Sequence, residues 1–289
     1  MSGVIVVGSA NLDLVYRVHA LPAPGETVLA TGAAKHPGGK GNNQVIAVAR
    51  AGAPATFVAA IGADADGDLL VAALEQAGVT LLLRRPATPT GTALITVDDA
   101  AENSIVVNSG ANNDLIDLTD EERTAVASAS ILLMQLETPL PTVIAAAAAA
   151  RAAGTAVVLN AAPFRPLPPE LLALVDLLIV NEVEAAAVGE EQLAQVPECV
   201  VTLGARGAVV RDRTGVSTAV ASPKVDAVDT TGAGDTFCGA LVAALDDGLG
   251  LAAAARFAVA AAALSVQREG AVSSIPTRAV IDEFLASLE

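Results

Sequence analysis

Apolar residues recur along the chain in two rhythms. Short continuous Val/Ile/Leu runs at 4–7, 56–61, 131–134, 156–159, 177–180 and 199–203 have the length and β-branched content of strands buried on both faces. Alanine-rich stretches at 41–51, 66–76, 140–153, 234–246, 251–266 and 278–288 predict helices. Strands alternating with helices are the pattern of a mostly parallel sheet covered on both faces by crossover helices, so an α/β fold is expected.

Two stretches, 14–37 and 88–108, break this rhythm with Pro-Gly turns and β-alternation. Within the second, residues 91–97 and 104–107 read as a hairpin turning at Asp98 and Asp99. The two stretches are expected to pair into a small sheet standing off a body made of 1–13, 38–87 and 109–289. Such a sheet is either a lid over a ligand or a surface ornament. No internal repeat is visible.

Hydrophobic residues make up 53% and charged residues 17% of the 289 positions, which excludes a disordered chain. The alanine runs at 145–150 and 260–263 stop at or lie close to Arg151 and Arg256 and never grow into a long, strongly apolar span, so buried helices are expected rather than membrane spans. The first residues lack the basic and apolar segments of a signal peptide. A net charge of −16 repels phosphate backbones and anionic membranes, which argues against a nucleic-acid or membrane partner. Cys199 and Cys238 have no metal-like or redox-like spacing and are expected to be buried thiols of a reducing compartment, the cytoplasm.

Two familiar phosphate motifs fail. Gly39-Lys40 is followed by Gly41 and has Ala34 where a P-loop needs its first glycine; the G-x-G near match at Gly248 and Gly250 joins two predicted helices with no strand before it. A sharper segment is Asp229-Thr230-Thr231-Gly232-Ala233-Gly234-Asp235. Its glycines bracket a helix start, where free backbone N–H groups suit an anion, and Asp235 sits in the first turn. An anion hole beside a carboxylate suits phosphoryl transfer to a hydroxyl, the carboxylate accepting the alcohol proton. An aspartate that merely satisfies the helix N-terminus fits the same spacing.

The segment Gly38-Gly39-Lys40-Gly41-Asn42-Asn43-Gln44 gathers glycines, a cation and carboxamides ahead of a buried helix, the groups that polyol recognition needs. Asn11 and Asp13 follow the first strand at alternate positions, Glu137 follows the strand at 131–134, and Asn181 and Glu184 follow the strand at 177–180. Each alone reads as a turn, cap or solvated residue; together they put polar chemistry at the C-terminal edge of the sheet, where ligands bind in open parallel sheets.

Those two signature segments resemble, in order and separation, the N- and C-terminal signatures of the ribokinase (PfkB) family of carbohydrate kinases. Ser9 to Asp13, Met134 to Glu137, Asn160 to Pro163, Asn181 to Glu184 and Thr202 to Gly207 extend the resemblance over nearly the whole chain. It implies a three-layer ribokinase-like fold with a β-sheet lid that also pairs two subunits into a homodimer. It further implies ATP-dependent phosphorylation of D-ribose to D-ribose 5-phosphate. In the implied site Asp235 is the general base and Gly232, Ala233 and Gly234 form the anion hole. Asn11, Asp13, Gly39, Lys40, Asn43 and Glu137 hold the sugar, and Asn181, Thr202 and Gly204 contact ATP. Glu184 orders Mg2+ through water. Asp229, Thr231, Ser265, Arg268, Gly270 and Ser274 form a site for K+ or a similar monovalent cation, largely through backbone oxygens.

One departure stands out. Only seventeen residues separate Glu184 from Thr202, fewer than in the family, so a helix on the nucleotide side is expected to be shortened or missing. Asn42, where many family members have alanine, is a smaller departure. The alternatives are a fructokinase-like or adenosine kinase-like enzyme, or a sugar- or nucleotide-binding regulator without catalysis. With one tyrosine, five phenylalanines and no tryptophan there is little aromatic surface to stack a nucleobase, which favours a free sugar. A regulator has no need of Asp235 as a proton acceptor, and a hydride-transfer enzyme would need the strand-linked G-x-G-x-x-G that is missing here.

Overall fold

The structure, a computed structural model, describes residues 3–100 and 102–288. In chain order its elements begin with β1 (Val4–Val7), β2 (Asn11–Arg17), β3 (Gly32–Gly38), α1 (Lys40–Arg50), β4 (Ala55–Ala60), α2 (Ala65–Gln76), β5 (Thr80–Arg84), β6 (Gly91–Val97) and β7 (Asn103–Asn108). There follow α3 (Asp120–Ser128), β8 (Ile131–Met134), α4 (Leu140–Ala153), β9 (Ala156–Asn160), α5 (Pro169–Leu172), β10 (Leu177–Asn181), α6 (Glu182–Val188) and α7 (Glu190–Gln195). The chain continues through β11 (Glu198–Thr202), β12 (Ala208–Arg211), β13 (Ser217–Val220), α8 (Ala233–Asp246), α9 (Leu251–Ser265) and α10 (Arg278–Ser287).

The large sheet has the order β13-β12-β11-β10-β9-β8-β1-β4-β5, parallel from β11 to β5 and antiparallel over its last two strands. Its apolar runs divide residue by residue between the two faces. In β1, Val4 and Val6 join the core beneath α1, α8 and α9, while Ile5 and Val7 join the core beneath α3 and α4. In β8, Ile131 and Leu133 face the first core, Leu132 and Met134 the second. Each such side chain contributes about 1.5–3 kcal/mol by leaving water. That two-sided burial is why these strands read as unbroken apolar runs.

The helices carry the end signals their sequences predict. Asp64 caps α2 by accepting from Gly67 N at 2.7 Å, and α4 has a proline in its first turn and stops at Gly154, which is left-handed at φ 82°. The connection after β10 is shortened but keeps its helix in two pieces. The short α6 and α7 meet at Gly189, whose φ of 83° breaks the run, so the helix is divided rather than missing.

The second sheet has the order β3-β2-β6-β7, with β2 parallel to β6 and the outer pairs antiparallel. The expected hairpin is β6–β7. Strand β2 starts at Asn11, directly after β1, so Asn11 and Asp13 lie on the small sheet's own strand. In the large sheet β1 lies between β4 and β8, because the chain first builds outward to β5 and then returns to the other side of β1. The crevice at the C-terminal ends of β1 and β8 is therefore the topological switch point, the place where open α/β sheets bind ligands.

Candidate active site

At that crevice two glycine segments press against each other. Gly39 has φ 87°, and a Cβ there would stand 2.7 Å from Asn11 N; a Cβ on Gly41 would stand 2.6 Å from Ser9 N. The first turn of α1 thus rests on the 8–11 backbone, with Asn42 N donating to Ser9 O at 2.8 Å. The free N-terminal amides of α1 need an acceptor. Glu137 Oε2, just past β8, accepts from Lys40 N at 3.0 Å and also from the Ser9 hydroxyl.

Asp235, in the first turn of α8, is 8% exposed. Its Oδ2 accepts from Asn43 Nδ2 and its Oδ1 from Gln44 Nε2, both at 2.9 Å. Gly232 before it is left-handed at φ 74°, and a Cβ there would strike Ala271 at 2.8 Å. Burial opposes the Lys40 ammonium, but Asp235, Glu137 and Glu184 outweigh that and hold its pKa above the usual lysine value.

Asp13 packs over Gly38, where an added Cβ would stand 2.2 Å from the carboxylate. Burial first, then the charges of Glu137 and Asp235, push its pKa up to about 7. A carboxyl group raised in the folded state binds more protons folded than unfolded. Its contribution therefore favours folding at low pH and is lost as pH rises from about 4 to about 7. Asp13→Asn removes that cost, so the melting temperature of the variant should gain on wild type by a few degrees between pH 5 and pH 8. Thermal melts across that range check it, and a constant difference contradicts it.

Two cavities flank this cluster. One of about 480 Å³ is lined by Asn11, Glu137, Ser109, Asn112, Thr138 and Arg165, among others. Asn11 is held on its wall by Asn112 Nδ2, which donates to Asn11 Oδ1 at 2.7 Å. The other, about 150 Å³, is lined by Lys40, Asn181, Glu184, Thr202, Gly232, Gly234 and Asp235. Expected sugar, phosphate and nucleotide residues thus meet at one place. Gly204 does not line that chamber; it opens a 3-10 turn after β11 at φ 58°. Asn181 and Glu184 also serve locally, as a capping box in which Asn181 Oδ1 accepts from Glu184 N and Glu184 Oε2 from Asn181 N, both at 2.8 Å.

Among the described residues no three His, Cys, Asp or Glu side chains cluster as a metal site. Of the two carboxylates on the chamber wall, Asp235 is engaged by Asn43 and Gln44, and Glu184 fits a divalent ion held chiefly by phosphate and water, as Mg2+ usually is. The expected monovalent-cation residues do gather. Asp229 accepts from Thr231 N at 2.9 Å and from Gly270 N at 2.8 Å, and Arg268 N donates to Ser265 O at 3.1 Å. Ser274 is buried and donates to Ala271 O, next to the contact with Gly232. Burial works against the Asp229 charge, but hydrogen bonds from Thr231 and Gly270 outweigh it and hold the carboxyl below its ordinary pKa. An ionised carboxylate is a hard oxygen donor, the kind that suits a hard cation.

Ser9, Gln44, Asn112 and Asn160 were not singled out as site residues from the sequence. Ser9, Gln44 and Asn160 lie inside the segments that carry the family resemblance. Asn112 carried no signal, because its partner Asn11 is a hundred residues away in the chain.

Residues 1–278 match the family described as pfkB family carbohydrate kinase. The chain is 42% identical over 298 residues to a ribokinase of Haemophilus influenzae, covering 97% of each. Among solved structures, ribokinase of Thermotoga maritima superposes with a TM-score of 0.92 at 36% identity, covering 99% of this chain and 100% of that one. Arabidopsis thaliana ribokinase, solved with ribose and ATP, also superposes at 0.92, with 35% identity and 99% of both chains covered. Signature segments, switch-point site and full-length similarity agree: the chain belongs to the pfkB family of carbohydrate kinases.

Proposed function

We propose that this protein transfers the γ-phosphoryl group of ATP to the primary hydroxyl of D-ribose, forming D-ribose 5-phosphate. The observation that carries the reading is Asp235. Its buried carboxylate stands at the start of α8, directly after Gly232 and Gly234, on the wall of a chamber shared with Lys40 and Glu184.

Asn11, Asp13, Gly39, Lys40, Asn43 and Glu137 hold the sugar so that its primary hydroxyl reaches Asp235. As the hydroxyl oxygen bonds to the γ-phosphorus, its proton passes to the Asp235 carboxylate and the bond from that phosphorus to the bridging oxygen breaks, releasing ADP. Charge on the moving group is stabilised by the amides of Gly232, Ala233 and Gly234 at the positive end of α8 and by the Lys40 ammonium. Asn181, Thr202 and Gly204 hold the nucleotide.

Glu184 would hold Mg2+, which would supply charge neutralisation that an acidic chain with three lysines lacks. Asp229, Thr231, Ser265, Arg268, Gly270 and Ser274 would hold a potassium-type ion, which would supply positive charge to the loop that carries Gly232 to Gly234. Residues 14–37 and 88–108 act as a lid, and the exposed apolar residues Leu94, Ile105 and Val106 on its strands support pairing with a second copy as a homodimer. Cytoplasmic residence accords with the buried free thiols of Cys199 and Cys238. Among the described residues no helix is long and apolar enough to cross a membrane.

The test is ADP release from ATP with a panel of acceptors. Release that depends on Mg2+, rises with K+ and is faster with ribose than with fructose or adenosine supports the proposal. Preference for fructose or adenosine moves the assignment to another substrate, and no release with any acceptor favours a binding-only protein.

A further inference from the structure

We infer that Gln44 is a positioning residue for phosphoryl transfer, the centre of a buried carboxamide chain that sets how Asp235 presents its carboxylate. The inference rests on the reading of Asp235 as the base. Gln44 is fully buried, and its one side-chain nitrogen donates to Asp235 Oδ1 at 2.9 Å and to Asn160 Oδ1 at 3.0 Å. Its Oε1 accepts from Gln135 Nε2 at 2.6 Å. Turning the Gln44 amide over would set its oxygen against two acceptor oxygens and its nitrogen against a donor, so only one orientation satisfies all three contacts. Asn160 is oriented in the same way, by donating to Ile179 O at 3.2 Å.

These anchors stand on rigid structure. Gln135 follows β8, Asn160 ends β9 and Ile179 lies in β10, three neighbouring strands of the large sheet. Gln44 reaches Asp235 because α8 approaches α1 closely at Gly239, where an added Cβ would stand 2.5 Å from Gln44 O. The chain thereby joins the segment that carries Glu137 to the base on α8 and to the strand that ends at Asn181.

Gln135 supplies an independent reason. Its Oε1 is buried with no hydrogen-bond partner among the described residues, a defect an apolar side chain would avoid, while its Nε2 donates to Gln44. A residue that leaves a buried acceptor unpaired yet orients Gln44 is accounted for if the orientation matters to turnover. A base must lie in line with the hydroxyl it serves, and a displacement of about 1 Å can cost about a hundredfold in rate.

The test compares wild type, Gln44→Met, Asp235→Asn and the double variant in steady-state kinetics with ribose, ATP and Mg2+. Gln44→Met should lower kcat by about ten- to a hundredfold while both KM values stay within about threefold. Because Gln44 acts through Asp235, the two losses should not multiply, and the double variant should turn over at the rate of Asp235→Asn. Gln135→Met, which removes only the outer link, should lower kcat by a smaller factor and add nothing when Gln44 is already Met; it decides the matter if Gln44→Met does not fold. A kcat within about twofold of wild type, a loss that falls on KM, or losses that multiply would overturn the role of Gln44 and leave the base reading standing. Wild-type turnover by Asp235→Asn would overturn both.

Discussion

Asp235→Asn is expected to lower kcat by about 10²–10⁴-fold, the range for loss of a general base, while ribose still binds. The side chain is nearly isosteric, and the residues proposed to hold the sugar, Asn11, Asp13, Gly39, Lys40 and Glu137, are untouched. The variant has one local cost. Asn43 and Gln44 each point a donor at the carboxylate, and an amide offers an acceptor to only one of them. The remaining donor–donor contact should cost about 1–3 kcal/mol of stability. Kinetics with ribose titrated by calorimetry separates the effects: lost turnover with retained affinity supports the base assignment, whereas turnover near wild type contradicts it.

The next largest effect is expected of Gly39→Ala. At φ 87° an L-residue is strained by about 1–2 kcal/mol, and the new methyl would stand 2.7 Å from Asn11 N and 2.9 Å from Ala10 Cα. Overpacking against backbone adds about 1–3 kcal/mol, because neither segment can move without shifting β2 or α1. Both segments carry residues proposed to hold the sugar, so ribose affinity should fall by about tenfold or more along with the melting temperature, a displaced hydroxyl contact costing about 1–3 kcal/mol. Gly78→Ala is the control. Gly78 has φ 76° with nothing within 4 Å, and it ends α2 away from the cavities. It should lose stability alone; equal losses of ribose affinity in the two variants would show that Gly39 acts through general destabilisation.

Much of this was legible in the sequence because its causes are local. The strands at 4–7 and 131–134 announce themselves by unbroken apolar runs, and both signature helices begin within one residue of the expected positions. Elements whose stability comes from elsewhere were not legible. Helix α3 is mostly polar and short on apolar periodicity, β12 and β13 are four-residue strands at one side of the large sheet, and α6 and α7 are too short to show a period. The site shows the same division. Asp235 and the glycines stood out because adjacent residues carry the signal, whereas the chain Gln135–Gln44–Asp235 joins residues 91 and 191 positions apart. The high pKa of Asp13 arises only when folding buries it and brings Glu137 and Asp235 near it.

The most direct test is a crystal structure of the protein with ribose, Mg2+ and a non-hydrolysable ATP analogue. The account predicts the ribose C5 hydroxyl about 2.6–3.2 Å from an Asp235 carboxylate oxygen, with the terminal phosphate against the amides of Gly232 to Gly234. Ribose bound with that hydroxyl turned away from Asp235, or the phosphates lodged outside the chamber between Lys40 and Glu184, would contradict it.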